Sequence, residues 1–233
     1  MPLSQWRGVL ACGGWAALGS VALTIVQIVV FAIWPPVHTV GEVFDLMAMS
    51  PVLGLVSLDI IYLLNNVLVW LFYLGLGVAL WPASRSTVAL VVGLGTLQMA
   101  AYFASNPAVE MLALATAHAD ADLQGQAVLQ AAGEAVLAGW KGTAFLTYYY
   151  LGAVVLLICA RVLRRSHVFR PSTAGWALGA GVLMLIPSTF GTLGLVFSIL
   201  SLLPWTVLCV LAGRRLLTLA DDRVLESGPT TSD

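Results

Sequence analysis

Long apolar segments limit what this chain can fold into. A membrane-spanning helix needs about 20 apolar residues, and five segments approach or exceed that length. They run over 8–34, 52–81, 88–105, 142–160 and 172–213. The last is too long for one crossing, and its middle, from Pro187 to Gly194, supplies a helix breaker and two glycines. We therefore predict a helical hairpin there and six spans in all, at about 8–34, 52–81, 88–105, 142–160, 172–190 and 191–213.

Charged residues are too scarce for a water-soluble protein. Hydrophobic residues make up 60% of the 233 residues and charged residues only 9%, whereas a soluble domain carries about a quarter. So little polar surface cannot cover a soluble globule. The sequence predicts an all-α fold, a polytopic helical bundle whose partner is the lipid bilayer, and no nucleic-acid partner.

The cationic side chains are segregated by side. With Arg7 inside, six crossings place nine of the ten Lys and Arg residues on one face, and only Lys141 lies opposite. The nine are Arg7, Arg85, Arg161, Arg164, Arg165, Arg170, Arg214, Arg215 and Arg223. Because Lys and Arg accumulate on the cytoplasmic side, both termini are predicted to be cytoplasmic. Five crossings would place Arg214 and Arg215 on the opposite face.

The segments between the predicted spans leave no room for a separate cytoplasmic domain. We predict one six-helix transmembrane domain over 1–219. The remaining residues, 220–233, are polar and predicted to be a disordered cytoplasmic tail.

Two longer segments are predicted on the outer face. Pro35-Pro36 favours loop structure in the link over 35–51. In the segment 106–141, Asn106-Pro107 is typical of a helix start, and apolar residues farther along recur at helical spacing. This second segment is either a lid over the mouth of the bundle or a plain connector.

Polar side chains gather in the outer half of the predicted spans. Asp59, Tyr62 and Asn66 are spaced i, i+3 and i+7, so on a continuous helix they share one face. Asp59 falls near the outer interface, where an ionised carboxylate is tolerated. Eight residues are candidates for ligand binding: Asp59, Tyr62, Asn65, Asn66, Gln98, Tyr102, Glu110 and Lys141. Asp59 or Glu110 would supply the charge and Lys141 a counter-charge.

Three functions fit this pattern. The first is binding or transport of a small molecule or ion through an outward-facing polar cavity. The second is a non-catalytic membrane subunit, in which polar groups join helices at about 0.6–2 kcal/mol each and glycine-lined faces hold a second copy or a membrane partner. The third is a membrane enzyme on a lipid-like substrate, which would need an acid–base pair such as Asp59 with Glu110.

The reactive residue types argue against a cofactor. His38, His118 and His167 all lie outside the predicted spans, which removes the usual axial ligands of a membrane haem. The three cysteines have no CxxC spacing, and neither HExxH, GxSxG nor GxxxxGK[ST] occurs. We therefore predict no catalytic residue, no metal site and no cofactor.

Several motifs, taken together, resemble a bacterial integral-membrane family. They are Ser50-Pro51-Val52-Leu53-Gly54 with Leu58-Asp59, then Asn65-Asn66, Asn106-Pro107-Ala108-Val109-Glu110-Met111, Trp140-Lys141-Gly142-Thr143-Ala144-Phe145, and Pro187-Ser188-Thr189-Phe190-Gly191-Thr192. The family is catalogued as a domain of unknown function, number 4386, and the resemblance covers nearly the whole chain. It implies a six-helix protein of the bacterial cytoplasmic membrane and carries no established activity or catalytic residue.

Overall fold

The structure is a computed structural model, and it describes residues 3–35, 37 and 39–221. Every regular element in these residues is helical, which confirms the predicted all-α fold. The predicted tail over 220–233 lies outside the described residues from position 222 onward, and so does His38.

Ten α-helices follow a short 3-10 helix, Leu3–Trp6, in the described chain. They are α1 (Arg7–Ile33), α2 (Val40–Met49), α3 (Pro51–Ser57), α4 (Ile60–Leu80), α5 (Arg85–Ser105), α6 (Ala108–Ala119), α7 (Leu123–Trp140), α8 (Thr143–Arg165), α9 (Pro171–Leu183) and α10 (Gly191–Ala220).

Five helical stretches are long and apolar enough to cross a membrane. They are Arg7–Ile33, Ile60–Leu80, Arg85–Ala119, Leu123–Arg165 and Gly191–Ala220. The span predicted at 172–190 corresponds to α9, which has 13 residues and ends at Leu183. At about 1.5 Å per residue α9 is roughly 20 Å long, against a hydrocarbon thickness of about 30 Å. The sixth crossing and the side of each terminus therefore remain predictions.

The surface of these helices is rich in large apolar side chains. Trp15, Ile25, Leu97, Ile199 and Leu203 each expose more than half of their area. Water-soluble monomers rarely expose so much apolar surface, because its hydration is unfavourable. A lipid bilayer removes that cost, so the helices support an integral membrane protein.

The chain divides into two compact units. The first unit comprises the described residues of 1–22, 67–99 and 149–233, and the second comprises those of 23–66 and 100–148. Four helices, α1, α4, α5 and α8, contribute residues to both units. The single domain predicted over 1–219 stays a prediction.

Glycines bring helix backbones together in the first unit. A methyl group added at Gly13 in α1 would lie 2.8 Å from the Cα atom of Gly75 in α4. One added at Gly14 would lie 2.9 Å from the carbonyl oxygen of Gly213 in α10. Close backbone approach through small residues is a main source of helix association in membranes. Neighbouring glycines of α1 therefore pack against α4 and α10.

The last two helices of the first unit form a hairpin. The helix break predicted between Pro187 and Gly194 is present, since α9 ends at Leu183 and α10 begins at Gly191. Gly191 has a φ angle of 59°, a left-handed conformation that favours glycine. After this turn α10 runs back along α9, and the two helices pack against each other.

The second unit has its own apolar core, to which α2, α3, α6 and α7 contribute. Its buried residues are Val40, Val43, Phe44, Met47, Leu58, Ala108, Met111, Ala115 and Trp140. The loop structure that Pro35-Pro36 favours does not extend over the whole link 35–51, because Thr39 and Glu42 form a capping box that starts α2. The hydroxyl of Thr39 accepts from the Glu42 amide at 3.3 Å, and the Glu42 carboxylate accepts from the Thr39 amide at 3.0 Å.

The predicted outer segment 106–141 contains two helices, α6 and α7. Asn106 Oδ1 accepts a hydrogen bond from the amide of Ala108 at 3.1 Å, at the start of α6. Asp122 Oδ1 accepts from the amide of Gly125 at 2.8 Å and caps α7. The buried sides of both helices pack into the core of the second unit. A lid role for this segment stays a prediction.

Replacing Gly13 by alanine tests the close approach of α1 and α4. The added methyl group would meet the backbone of Gly75, so the helices must separate. We expect Gly13→Ala to destabilise the purified protein in detergent by about 1–3 kcal/mol, measured as a lower melting temperature. Gly8→Ala is the matched control, since nothing lies within 4 Å of its added methyl group. Equal melting temperatures for the two variants would contradict this packing.

Candidate functional site

A break in the helix predicted over 52–81 lies at the centre of the candidate site. α3 ends at Ser57, α4 begins at Ile60, and Asp59 between them has a φ angle of 62°. Aspartate tolerates this left-handed region better than most residues, and a left-handed residue commonly ends a helix. The prediction of one continuous helix is therefore wrong here. Asp59 precedes α4 and does not share a helical face with Tyr62 and Asn66.

The carboxyl group of Asp59 has a polar partner in α1. Asp59 Oδ1 accepts a hydrogen bond from Nε2 of Gln27 at 3.3 Å. Lys141, the residue after α7, is close enough for its positive charge to act on the same carboxyl group. The exposed Lys141 ammonium also lies 5.4 Å from the ring centroid of Trp140. Two other segments of the second unit, α1 and the residue after α7, thus act on Asp59.

A side-chain amide from the end of α5 closes the same break. Asn106 Nδ2 donates a hydrogen bond to the carbonyl oxygen of Leu58 at 2.8 Å. The end of a helix leaves carbonyl groups without an intrahelical donor, and Leu58 is fully buried. Asn106 therefore satisfies the end of α3 while its oxygen accepts from Ala108 at the start of α6.

The surroundings of Asp59 favour its neutral form. Desolvation raises the pKa of Asp59 from the ordinary 3.8 to about 7, and the positive charge of Lys141 opposes part of this effect. Asp59 lies just before the candidate span that begins at Ile60. Near neutral pH its carboxyl group is therefore divided between a protonated form that can donate a hydrogen bond and an ionised form that only accepts.

Aromatic rings extend the site from α4 to α5 and α8. The ring centroids of Tyr62 and Tyr102 are 5.6 Å apart, and those of Tyr102 and Tyr148 are 4.9 Å apart. Phe145 lies 6.5 Å from Tyr102 in the same group. Tilted aromatic pairs of this kind contribute about 0.5–1.5 kcal/mol each beyond the area that they bury. The rings therefore give the site a rigid wall within the second unit.

Three buried carboxamides in the second unit have unpaired oxygens. They belong to Gln27, Asn65 and Asn66, which expose 5%, 2% and 1% of their surface. Within residues 3–35, 37 and 39–221 these oxygens have no hydrogen-bond donor. Asn66 Nδ2 donates to the carbonyl oxygen of Tyr62 at 2.9 Å, so only its oxygen is left over. An unpaired buried acceptor costs about 1–3 kcal/mol.

Seven of the eight predicted site residues lie in the second unit, and six of these lie on α4 and α5 or next to α4 and α7. The six are Asp59, Tyr62, Asn65, Asn66, Tyr102 and Lys141. Three further residues are missing from the prediction: Gln27, Asn106 and Tyr148. Gln27 is visible in the sequence as an amide in an apolar span, whereas Asn106 is predicted only as a helix start. No local pattern indicates that Asn106 bonds to a residue 48 positions away.

The other two predicted residues lie elsewhere. Gln98 is buried in the first unit, where a methyl group added at Gly152 would lie 2.7 Å from its Nε2 atom. Glu110 is exposed in the first turn of α6, and no hydrogen bond joins it to Asp59 in the part of the chain that the structure describes. The acid–base pair that the enzyme hypothesis needs therefore has no support from these contacts.

The site offers hydrogen-bond acceptors, aromatic faces and one nearby cation. Comparison of the chain with family models, with curated proteins and with solved structures gives no match. Among the described residues no group of three or more His, Cys, Asp or Glu side chains could hold a metal ion. The side chains of the site are therefore the basis for its chemistry.

Asp59→Asn tests the raised pKa of Asp59. An acid whose pKa is higher in the folded protein than in the unfolded chain adds stability that is complete below about pH 4 and is lost as the pH rises through about 7. We expect the wild-type protein in detergent to lose at most about 4 kcal/mol of stability over this window, and Asp59→Asn to lack that loss. Asparagine also tolerates the left-handed conformation, so the helix break is kept.

Thermal unfolding between about pH 4 and 8 measures this difference. Glu110→Gln serves as the charge-matched control, because it neutralises an exposed carboxylate of the same unit. It should follow the wild-type pH profile. Parallel profiles for the wild type and Asp59→Asn would show that Asp59 does not titrate in this window.

Proposed function

We propose that this chain is an integral protein of the bacterial cytoplasmic membrane whose second unit binds a small polar molecule that carries hydrogen-bond donors. The binding site, called here the Asp59 cluster, comprises Gln27, Asp59, Tyr62, Asn65, Asn66, Tyr102 and Lys141. The proposal includes membership of the family known as domain of unknown function 4386, which the motifs named above support. Binding of this kind is also the first step of transport.

The main support for the proposal is a set of buried hydrogen-bond acceptors that have no donor in the described chain. The side-chain oxygens of Gln27, Asn65 and Asn66 are buried without a donor in the described chain. Native proteins satisfy most buried polar atoms, so each exception calls for a missing partner. A ligand with N–H or O–H groups would supply the donors. The carboxyl group of Asp59, already bonded to Gln27, would add a charged acceptor beside them when ionised.

The carboxyl group of Asp59 and the aromatic rings near it limit the class of ligand that fits the site. An ammonium group matches an ionised Asp59 carboxylate, and it is also attracted to the negative ring faces of Tyr62 and Tyr102. The amide oxygens accept its hydrogen bonds without adding charge. A small organic ammonium is therefore the ligand class that fits these groups best.

A structural role for the same residues is the alternative, and Asn106 favours it. Its amide nitrogen donates to the Leu58 carbonyl and its amide oxygen accepts from the Ala108 amide. Both hydrogen bonds join parts of the second unit. In this alternative the Gln27–Asp59 hydrogen bond also serves to join two segments of the second unit. In that case the unit would be a packing module of a membrane subunit, without a ligand of its own.

Asn66→Leu and Asn106→Leu separate these two functions. Asn66→Leu removes an unpaired buried oxygen, so we expect a melting temperature at or above that of the wild type. Asn106→Leu leaves the Leu58 carbonyl unpaired, so we expect a loss of about 1–3 kcal/mol. Ethylammonium should raise the melting temperature of the wild type and of Asn106→Leu, but not that of Asn66→Leu. Propionate, an anion of similar size, should have no effect.

The outcomes distinguish binding from packing. If ethylammonium fails to stabilise the wild type and Asn66→Leu is as unstable as Asn106→Leu, the Asp59 cluster is a packing element. If Asn66→Leu is stable and still responds to ethylammonium, the amide oxygen of Asn66 is not part of the binding site.

We also propose six crossings with both termini in the cytoplasm, α9 and the residues after it forming the fifth. The segregation of nine cations supports this arrangement. A contact within the first unit adds support: Arg215 Nε, near the end of α10, donates to the carbonyl oxygen of Val168 at 2.8 Å. Val168 lies between α8 and α9, so the hairpin of α9 and α10 returns to the side from which it starts.

Reporter fusions test the number of crossings. Green fluorescent protein fused to the C-terminus should fluoresce, because it folds in the cytoplasm. Alkaline phosphatase inserted after Ala121, between α6 and α7, should be active, because it requires the outer side. The exchanged fusions are the controls and should both be silent. An active phosphatase at the C-terminus would favour five crossings and contradict the proposed arrangement.

A further inference from the structure

A groove in the first unit lies between α4 and α5, and its lining includes no residue of the Asp59 cluster. Its volume is about 740 Å³, within the range of about 300–1,000 Å³ that is usual for small-molecule sites. The lining residues are Trp6, Leu74, Gly77, Val78, Trp81, Pro82, Arg85, Val88, Ala89, Val92 and Gly93. Nothing in the proposed function accounts for this groove.

The groove has one charged end and one apolar end. Arg85, the first residue of α5, is the single charged side chain of the lining. The α5 lining continues through Val88 and Val92 to Gly93, about 12 Å farther along the helix at 1.5 Å per residue. The α4 side contributes apolar residues over a similar length. A ligand that fits this distribution has an anionic head and an apolar tail.

Glycine keeps the apolar end open. A methyl group added at Gly93 would have no atom within 4 Å. Trp6 and Trp81 also line the groove, Trp81 four residues before Arg85, and tryptophan is a residue that concentrates at the headgroup level of membranes. The residue order from Arg85 and Trp81 toward Gly93 thus follows the order of a phospholipid from headgroup to acyl chain.

We propose that this groove binds an anionic phospholipid, with its phosphate at Arg85 and an acyl chain along α4 and α5 toward Gly93. Basic residues at the membrane surface recognise anionic headgroups, and no acidic side chain of the lining opposes the phosphate. The apolar lining supplies no partners for a polar ligand beyond the headgroup. The site is independent of the Asp59 cluster, so either proposal can fail alone.

The full-length protein in detergent, supplemented with phosphatidylglycerol or phosphatidylcholine of the same chains, tests this site. We expect phosphatidylglycerol to raise the melting temperature more than phosphatidylcholine and to remain bound in native mass spectrometry. Arg85→Gln should lower the apparent affinity for phosphatidylglycerol about tenfold, as expected for one lost charge-assisted hydrogen bond. Arg164→Gln, at an exposed arginine in the last turn of α8, should retain wild-type affinity.

A second pair of variants tests the apolar end. Gly93→Leu should fill the groove and reduce binding of phosphatidylglycerol while the protein stays folded. Gly175→Leu is its control, because Gly175 is also an exposed helical glycine with no atom within 4 Å of an added methyl group. It should leave lipid binding unchanged.

Three results would overturn the proposal. One is equal stabilisation of the wild type by the two lipids. Another is an equal effect of Arg85→Gln and Arg164→Gln, which would indicate general attraction of anionic lipid to basic residues. The third is stabilisation by glycerol phosphate as strong as that by phosphatidylglycerol, since a headgroup alone would then suffice and the apolar groove would have no role.

Discussion

The second unit depends on one hydrogen bond between two helix breaks. The left-handed residue Asp59 ends α3, and that break leaves the carbonyl of the buried Leu58 without a donor inside its own helix. Asn106 stands at the other break, between α5 and α6, and its amide donates to this carbonyl at 2.8 Å. In an apolar environment an unpaired carbonyl is costly. The break at Asp59 therefore depends on the amide of Asn106, which lies at the break between α5 and α6.

The same break determines which groups meet at Asp59. Because the chain leaves helical geometry at Asp59, the carboxyl group lies just before α4 and meets Gln27 and the charge of Lys141. Had the helix continued, Asp59, Tyr62 and Asn66 would form one polar stripe. Instead, the carboxyl group of Asp59 meets Gln27 from α1 and the charge of Lys141 after α7. The amide oxygens of Gln27, Asn65 and Asn66 have no donor in the described chain.

The all-α fold class and the hairpin of the last two helices could be predicted from the sequence because they depend on local composition. Apolar length, Pro187 and the glycines after it are all local signals. The capping box of Thr39 and Glu42 is local too, and a search for Ser or Thr followed three residues later by Glu would have predicted α2. That signal was available within the link over 35–51.

The break at Asp59 could not be predicted in the same way. No glycine or proline stands between Val56 and Leu64, so the local sequence favours an uninterrupted helix. The left-handed conformation is supported by a partner 48 residues from Leu58, and such tertiary contacts override local preference. Depth in a span likewise does not determine the neighbours of a side chain: Gln98 belongs to the first unit, whereas Asp59 belongs to the second.

The way in which helices pack bears on where the two proposed ligand sites lie. Helices in a membrane gain little from the hydrophobic effect against one another, so they associate through close packing or through polar contacts. In the first unit, Gly13 and Gly75 allow backbone contact that leaves no space for a ligand between α1 and α4. Its groove lies instead between α4 and α5, where Gly93 leaves open space.

The second unit adds contacts of amides and tyrosines to its apolar core. Close glycine packing offers no hydrogen-bonding groups to a ligand, whereas an amide can exchange one partner for another. Asn106 uses both ends of its amide within the protein, so it is bound to the fold. Asn66 uses only its nitrogen, and its buried oxygen has no donor in the described chain. The proposed binding site is supported by that contrast between two asparagines rather than by the mere presence of polar residues in an apolar chain.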